Sequence, residues 1–181
     1  MFARRVIVGA SGSPGSIPAL RYAGSVARRD DVPLVAVHAW VPPGGDLADR
    51  RTPSPYLRRL WADAAARRLS EELEAAWGGM PFGVEVQSRV VRGEPGQILV
   101  DIACGPDDLL VVGAGQRGWL GRIWHGHVSR YCVARAACPV LTVPPAGLPH
   151  RAGHPHLPFH YGDLTVEQAM HAWEREDLGR L

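Results

Sequence analysis

The chain has 181 residues, enough for one domain with a real core and a tail. Hydrophobic residues make up 46% and charged residues 21%, the balance of a soluble globular protein, and a net charge of +2 leaves no demand for nucleic acid or a membrane surface. Every basic residue is arginine, which excludes a lysine phosphate clamp, and the three cysteines, Cys104, Cys132 and Cys138, lack disulfide-framework spacing and fit a reducing cytoplasm.

Val6-Ile7-Val8 is a short apolar strand ending at Gly9. The loop Ala10 to Gly15 follows, and Ser16 reads as a helix N-cap with Pro18 in the first turn. Ile17, Leu20, Tyr22, Ala23 and Ala27 give that helix an apolar face. Leu34 to Val41 is nearly all apolar and reads as a strand buried on both faces. His38 within it is a strand residue near the pocket or core rather than a catalyst. Pro42 to Pro55 reads as a polar, proline-bearing loop. Leu57, Leu60, Trp61, Ala64, Ala65, Leu69, Leu73, Ala76 and Trp77 form the stripe of a long helix, stopped by Gly78-Gly79. The arginine pairs at 50–51, 58–59 and 67–68 belong to solvated surface.

Val84, Val86, Ser88 and Val90 alternate with Glu85, Gln87 and Arg89, which predicts a strand with one wet face at or near a sheet edge. Pro95 starts a helix carrying Ile98, Leu99, Ile102 and Ala103, with Gly105-Pro106 as its stop. Leu109 to Val112 is a strand that halts at Gly113. The loop after it holds Gly113, Gly115, Gly118 and Gly121 with Arg117 and Arg122. Gly126 opens a helix with Val128, Tyr131, Cys132 and Arg135 on one face, and Val140–Val143 is the closing strand. Cys132 and Cys138 read as buried packing residues.

Strict alternation of strand and helix implies a parallel sheet with helices on both faces and right-handed crossovers. Two glycine-bearing loops, 9–15 and 113–126, fall at carboxyl strand ends, where such sheets bind ligands. If their strands are neighbours, one pocket lies between them. A strand that feeds a glycine loop and a helix start is a phosphate-holding arrangement: backbone N–H groups and the positive helix end face the anion.

We divide the chain into a domain at 1–145 and an arm at 146–181. Residues 144–163, which lead into the arm, hold Pro144, Pro145, Pro149, Pro155 and Pro158 with His150, His154, His156 and His160. Those histidines are of a type that ligates zinc or nickel, but without a cysteine or carboxylate cluster they read as a solvated arm. Thr165 and Gln168 make a capping-box pattern ahead of Val166, Ala169, Met170 and Trp173. The arm is therefore expected to end in a docking helix over about Val166 to Asp177, which offers a contact for a protein partner.

Five segments in order resemble the universal stress protein domain over residues 3–145: the strand and Gly-Ser-Pro turn near the start, His38-Ala39-Trp40, Val90-Val91-Arg92-Gly93-Glu94-Pro95, the glycine loop, and Cys138-Pro139-Val140-Leu141. The resemblance implies a Rossmann-like five-stranded parallel sheet of order 3-2-1-4-5 with helices on both faces. It implies a homodimer through Val140–Val143. It further implies ATP binding, with or without Mg, in many members and nucleotide-free regulation in others.

The family's ATP motif is Gly, two residues, Gly, nine residues, Gly, then Ser or Thr. Gly113 and Gly126 take the first and third glycine positions, while Gln116 stands at the second and His127 at the hydroxyl position. Ser11 stands where an acidic residue would contact the nucleoside. Gln at a left-handed glycine position would cost about 1–2 kcal/mol. The site implied is Gly9, Ala10, Ser11 and Val37 for the nucleoside, with Gly113, Gly115, Gln116, Arg117, Gly118, Gly126, His127, Val128 and Ser129 for the phosphates. The expected function is a cytoplasmic, regulatory adenine-nucleotide binder that contacts neither nucleic acid nor membrane. The alternative is a nucleotide-independent dimeric scaffold with a decayed site. No catalytic residue or metal ligand stands out, so slow ATP hydrolysis is the most chemistry expected.

Overall fold

A computed structural model describes residues 3–13, 15–78, 83–114 and 126–145. The elements in order are β1 (Arg5–Gly9), α1 (Ser16–Asp30), β2 (Leu34–Trp40), α2 (Gly45–Arg51), α3 (Pro55–Trp77), β3 (Val86–Arg92), α4 (Pro95–Ile102), β4 (Asp108–Gly113), α5 (Gly126–Arg135) and β5 (Val140–Val143). The five strands form one parallel sheet of order β3-β2-β1-β4-β5, the expected 3-2-1-4-5. From β1 the chain builds outward to β2 and β3, then crosses back to β4 and β5. The reversal therefore falls between β1 and β4.

Alternation along each strand splits the core in two. Val6, Val8, Leu34, Ala36 and Val111 face one way, against Ala19, Leu20 and Ala23 of α1 and Leu69, Leu73 and Ala76 of α3. Ile7, Val35, Val37, Leu110 and Val112 face the other way, against Leu99 of α4 and Cys132 of α5. Leu20, Leu34 and Leu110 are wholly excluded from water, each contributing roughly 1.5–3 kcal/mol of burial. This double-sided burial is why β1, β2 and β4 are continuous apolar runs.

Several local expectations change. The loop at 42–55 contains α2, whose Asp49 accepts from Arg58 Nε at 2.9 Å and from Arg92 Nη2 at 2.8 Å. These ion pairs hold a helix that has no apolar stripe of its own. They also remove Arg58 from the solvated surface set. Only the carboxyl half of the α3 stripe is buried; Leu57 and Leu60 are 39% and 45% exposed because the helix begins beyond the sheet.

Ser16 is the first residue of α1 rather than its cap, and Gly15 takes the cap position. The strand expected at Val84–Val90 runs over Val86–Arg92 and pairs only with β2, at the sheet edge. Helix α4 stops at Ile102, ahead of Gly105, because Gly105 instead wraps Asp108: its N–H donates to Asp108 Oδ2 at 3.0 Å.

Contacts divide the chain into Met1–Leu148 and Pro149–Leu181. The expected terminal helix and the four histidines of the arm lie outside the described residues. Among the described residues no helix is long and apolar enough to cross a membrane.

Candidate functional site

The carboxyl ends of β1, β2 and β4 open into a cleft of about 350 Å³. Its floor is Gly9, Ala10 and Ser11 after β1, and its β4 side is Val112 and Gly113. Gly113, at the end of β4, stands close against the backbone of Gly15. A β-carbon built on Gly113 would lie 2.7 Å from the carbonyl oxygen of Gly15, so no larger residue fits without moving backbone. That approach brings the start of α1, the end of β4 and the start of α5 to one crevice, at the point where the sheet order reverses.

The cleft has two unlike walls. Toward α4 and α5 it is apolar: Val37, Pro95, Leu99, Val112 and Val128. Toward α1 and α3 it is polar: Ser13, Ser16, His38 and Arg68. Strand periodicity explains the split, since Val37 packs into one core layer and its neighbour His38 turns to the opposite face with Ala36.

Ser16 Oγ lies 2.9 Å from the Ser13 carbonyl oxygen and 2.8 Å from Glu72 Oε2, two acceptors that share its single proton. The Glu72 carboxylate reaches under the β1–α1 loop: its Oε1 lies 3.5 Å from where a β-carbon on Gly12 would stand, and Gly12 itself has φ +70. His38 Nδ1 faces that oxygen at 4.0 Å. Burial pushes the His38 imidazole below its ordinary value, Arg68 adds to the push, and Glu72 and the Ala10 carbonyl oppose it.

Of the residues singled out in the sequence, Gly9, Ala10, Ser11, Val37, Gly113 and Val128 line the cleft. Ser129 is buried in the first turn of α5 and is not a lining residue. Gly126 opens α5, which directs the N–H groups of its first turn outward from the helix start. Gly115, Gln116, Arg117 and Gly118, and the side chain of His127, lie outside the described residues. Ser11 donates to Ser13 Oγ at 2.9 Å and brings no carboxylate.

Arg68 corrects an expectation, for it lines the cleft rather than only the outer helix surface. Glu72, Ser16 and Arg68 were unreadable as site residues because their partners are distant in sequence. His38 alone carried a signal, as a polar residue inside an apolar strand.

Burial sets the thiols apart: Cys104 is exposed, Cys132 is buried as expected, and Cys138 is only partly buried. Cys132 is buried and pushed up to about 11, and burial also raises Cys138. Among the described residues no group of three or more metal-binding side chains comes together.

The model of the universal stress protein family matches residues 3–144. The chain belongs to the universal stress protein family. A universal stress protein of Mycolicibacterium smegmatis is 33% identical over 142 residues, covering 77% of this chain and 45% of that protein. The chain spans less than half the length of such mycobacterial relatives. Among solved structures, a universal stress protein in complex with cAMP is 27% identical, covers 81% of this chain and 100% of its own, and superposes with a TM-score of 0.54. A universal stress protein from Lactobacillus plantarum superposes with a TM-score of 0.56 at 21% identity, covering 79% of this chain and 99% of its own, and shares the fold.

Proposed function

We propose that this universal stress protein domain binds an adenine nucleotide, with ATP as the ligand the site is built to hold, and that it acts in regulation rather than catalysis. The observation that carries the reading is the contact of Gly113 with Gly15 at the switch point of the sheet. It leaves a cleft with an apolar wall for a base and a helix start for a phosphate. In this reading the adenosine lies over Gly9–Ser11 and against Val37, and the phosphates lie at Gly113 and the first turn of α5. The relative solved with cAMP supports an adenine nucleotide as the ligand class.

Among the described residues no base and nucleophile are positioned together over the cleft, and we read binding rather than turnover. We further propose a homodimer formed through the edge strand β5, a cytoplasmic location, and a protein contact made by the arm at 146–181.

Ser11 favours a second reading, a dimeric regulator that needs no nucleotide, because it leaves the loop after β1 without a carboxylate of its own. Mass spectrometry on protein denatured after mild purification separates the two. An adenine nucleotide released in near-stoichiometric amount supports the first. Its absence, together with no uptake on incubation with ATP, supports the second.

A further inference from the structure

Two buried polar atoms beside the cleft have no hydrogen-bond partner among the described residues: His38 Nδ1 and Glu72 Oε1. They belong to residues only 5% and 7% exposed and stand 4.0 Å apart, facing each other. Each unsatisfied buried group costs about 1–3 kcal/mol, so the arrangement calls for something between them. A neutral imidazole with a bare Nδ1 sets one lone pair against another. A proton on Nδ1 turns the same pair into a charge-assisted bond once the gap closes by roughly 1.2 Å.

The surroundings isolate this pair. From α3 come Glu72 and Arg68, from α1 the hydroxyl of Ser16, from the end of β1 the Ala10 carbonyl, and from β3 the uncharged Val90. Ser16 holds the other oxygen of Glu72, so the carboxylate is fixed from behind while its free oxygen faces the ring.

We propose that His38 is the cation that an anionic ligand calls up in this cleft, and that Glu72 is its positioning carboxylate, so that the nucleotide binds together with one proton. This rests on the nucleotide reading and deepens it. The proton comes from solvent onto Nδ1; no other bond forms or breaks. Without ligand the ring is neutral, in line with its burial. With a phosphate in the low-dielectric cleft, the imidazolium is favoured and the pair with Glu72 closes. Arg68 adds a fixed charge to the same wall.

The probe is cAMP, whose phosphodiester stays singly charged across the neutral range, with uncharged adenosine as control. Calorimetry of the full chain in buffers of different ionisation enthalpy reads proton uptake over about pH 5 to 8, where histidine titrates. Wild type is expected to take up a proton with cAMP but not with adenosine, and cAMP affinity is expected to rise as pH falls, by as much as about tenfold per unit. His38→Asn and Glu72→Gln are expected to abolish both effects.

In ligand-free protein, NMR titration of the His38 ring is expected to move to lower pH in E72Q, because the group that favours its charged form is gone. Binding of cAMP with no proton uptake, or uptake unchanged in both variants, overturns the proposal and leaves nucleotide binding intact. An unchanged His38 titration in E72Q also overturns it. Failure of every nucleotide and of adenosine to bind removes the nucleotide reading and this proposal with it.

Discussion

At the amino ends of the strands, Asp108 is buried and fully satisfied. Arg5 donates to both of its oxygens, at 2.8 and 2.9 Å, and the Gly105 N–H adds a third bond at 3.0 Å. Arg5 has a further bond to the Ile102 carbonyl at 2.9 Å, so one arginine ties β1, α4 and β4 together. At the carboxyl ends, two buried polar atoms face each other unpaired and one glycine touches another loop's backbone. Buried polar groups left unmatched are rare in stable folds. The amino end is built for stability, and the carboxyl end retains unsatisfied groups beside the cleft where we propose that a ligand binds. Stability and binding should therefore respond to different substitutions.

The largest effect is expected at the amino end. Arg5→Met leaves Asp108 buried without its counter-charge and should cost about 2–4 kcal/mol in chemical unfolding, somewhat less than for a wholly buried pair because Arg5 is 31% exposed. ATP affinity should stay within about twofold of wild type, since the sites are far apart. A matching loss of affinity would merge the two ends that we separate.

Gly113→Val should come next. Its β-carbon would meet the Gly15 carbonyl at 2.7 Å, so stability should fall by about 1–3 kcal/mol and ATP binding should disappear in a thermal-shift assay. Retained affinity would show that the two loops need not touch.

Acid sharpens the contrast further. Arg5 holds the Asp108 carboxyl below its ordinary value, so the pair's contribution is complete above the unfolded value of about 4 and is lost as pH falls through the folded value. The stability difference between wild type and Arg5→Met should begin to shrink below about pH 4 and close as pH falls through the lower folded value. Curves that stay parallel would mean that the ion pair is not the source of the difference.

The smallest stability effect belongs to the other end. His38→Leu removes an orphaned nitrogen and should leave neutral-pH stability within about 1 kcal/mol of wild type. Because burial lowers the His38 value, wild type should lose stability as pH falls below about 6.5, the unfolded value, while the leucine variant should not lose that part. A large loss at neutral pH in urea unfolding would make His38 a structural residue.

The fold was legible because β1, β2 and β4 are buried on both faces, so their apolar runs stand out between helical stripes. Helix α2 was hidden for the opposite reason. Gly45–Arg51 buries only Asp49, and its support comes from Arg58 and from Arg92, which lies 43 residues away from Asp49. Part of the cleft was legible as well, since Gly9 and Gly113 end apolar strands. Its polar wall was not. Ser16 reads locally as a cap, yet its hydroxyl turns to Glu72, 56 positions on. Arg68 reads as helix surface until α3 is laid beside β2. Side-chain pairs that form only through tertiary packing leave no periodic trace in the chain.

We propose that the crevice between the β1 and β4 loops holds an adenine nucleotide. Calorimetric titration of nucleotide-stripped protein with Mg-ATP tests it most directly. A saturable isotherm with one nucleotide per chain and a matching rise in melting temperature is expected. No heat and no thermal shift up to millimolar ATP would contradict it.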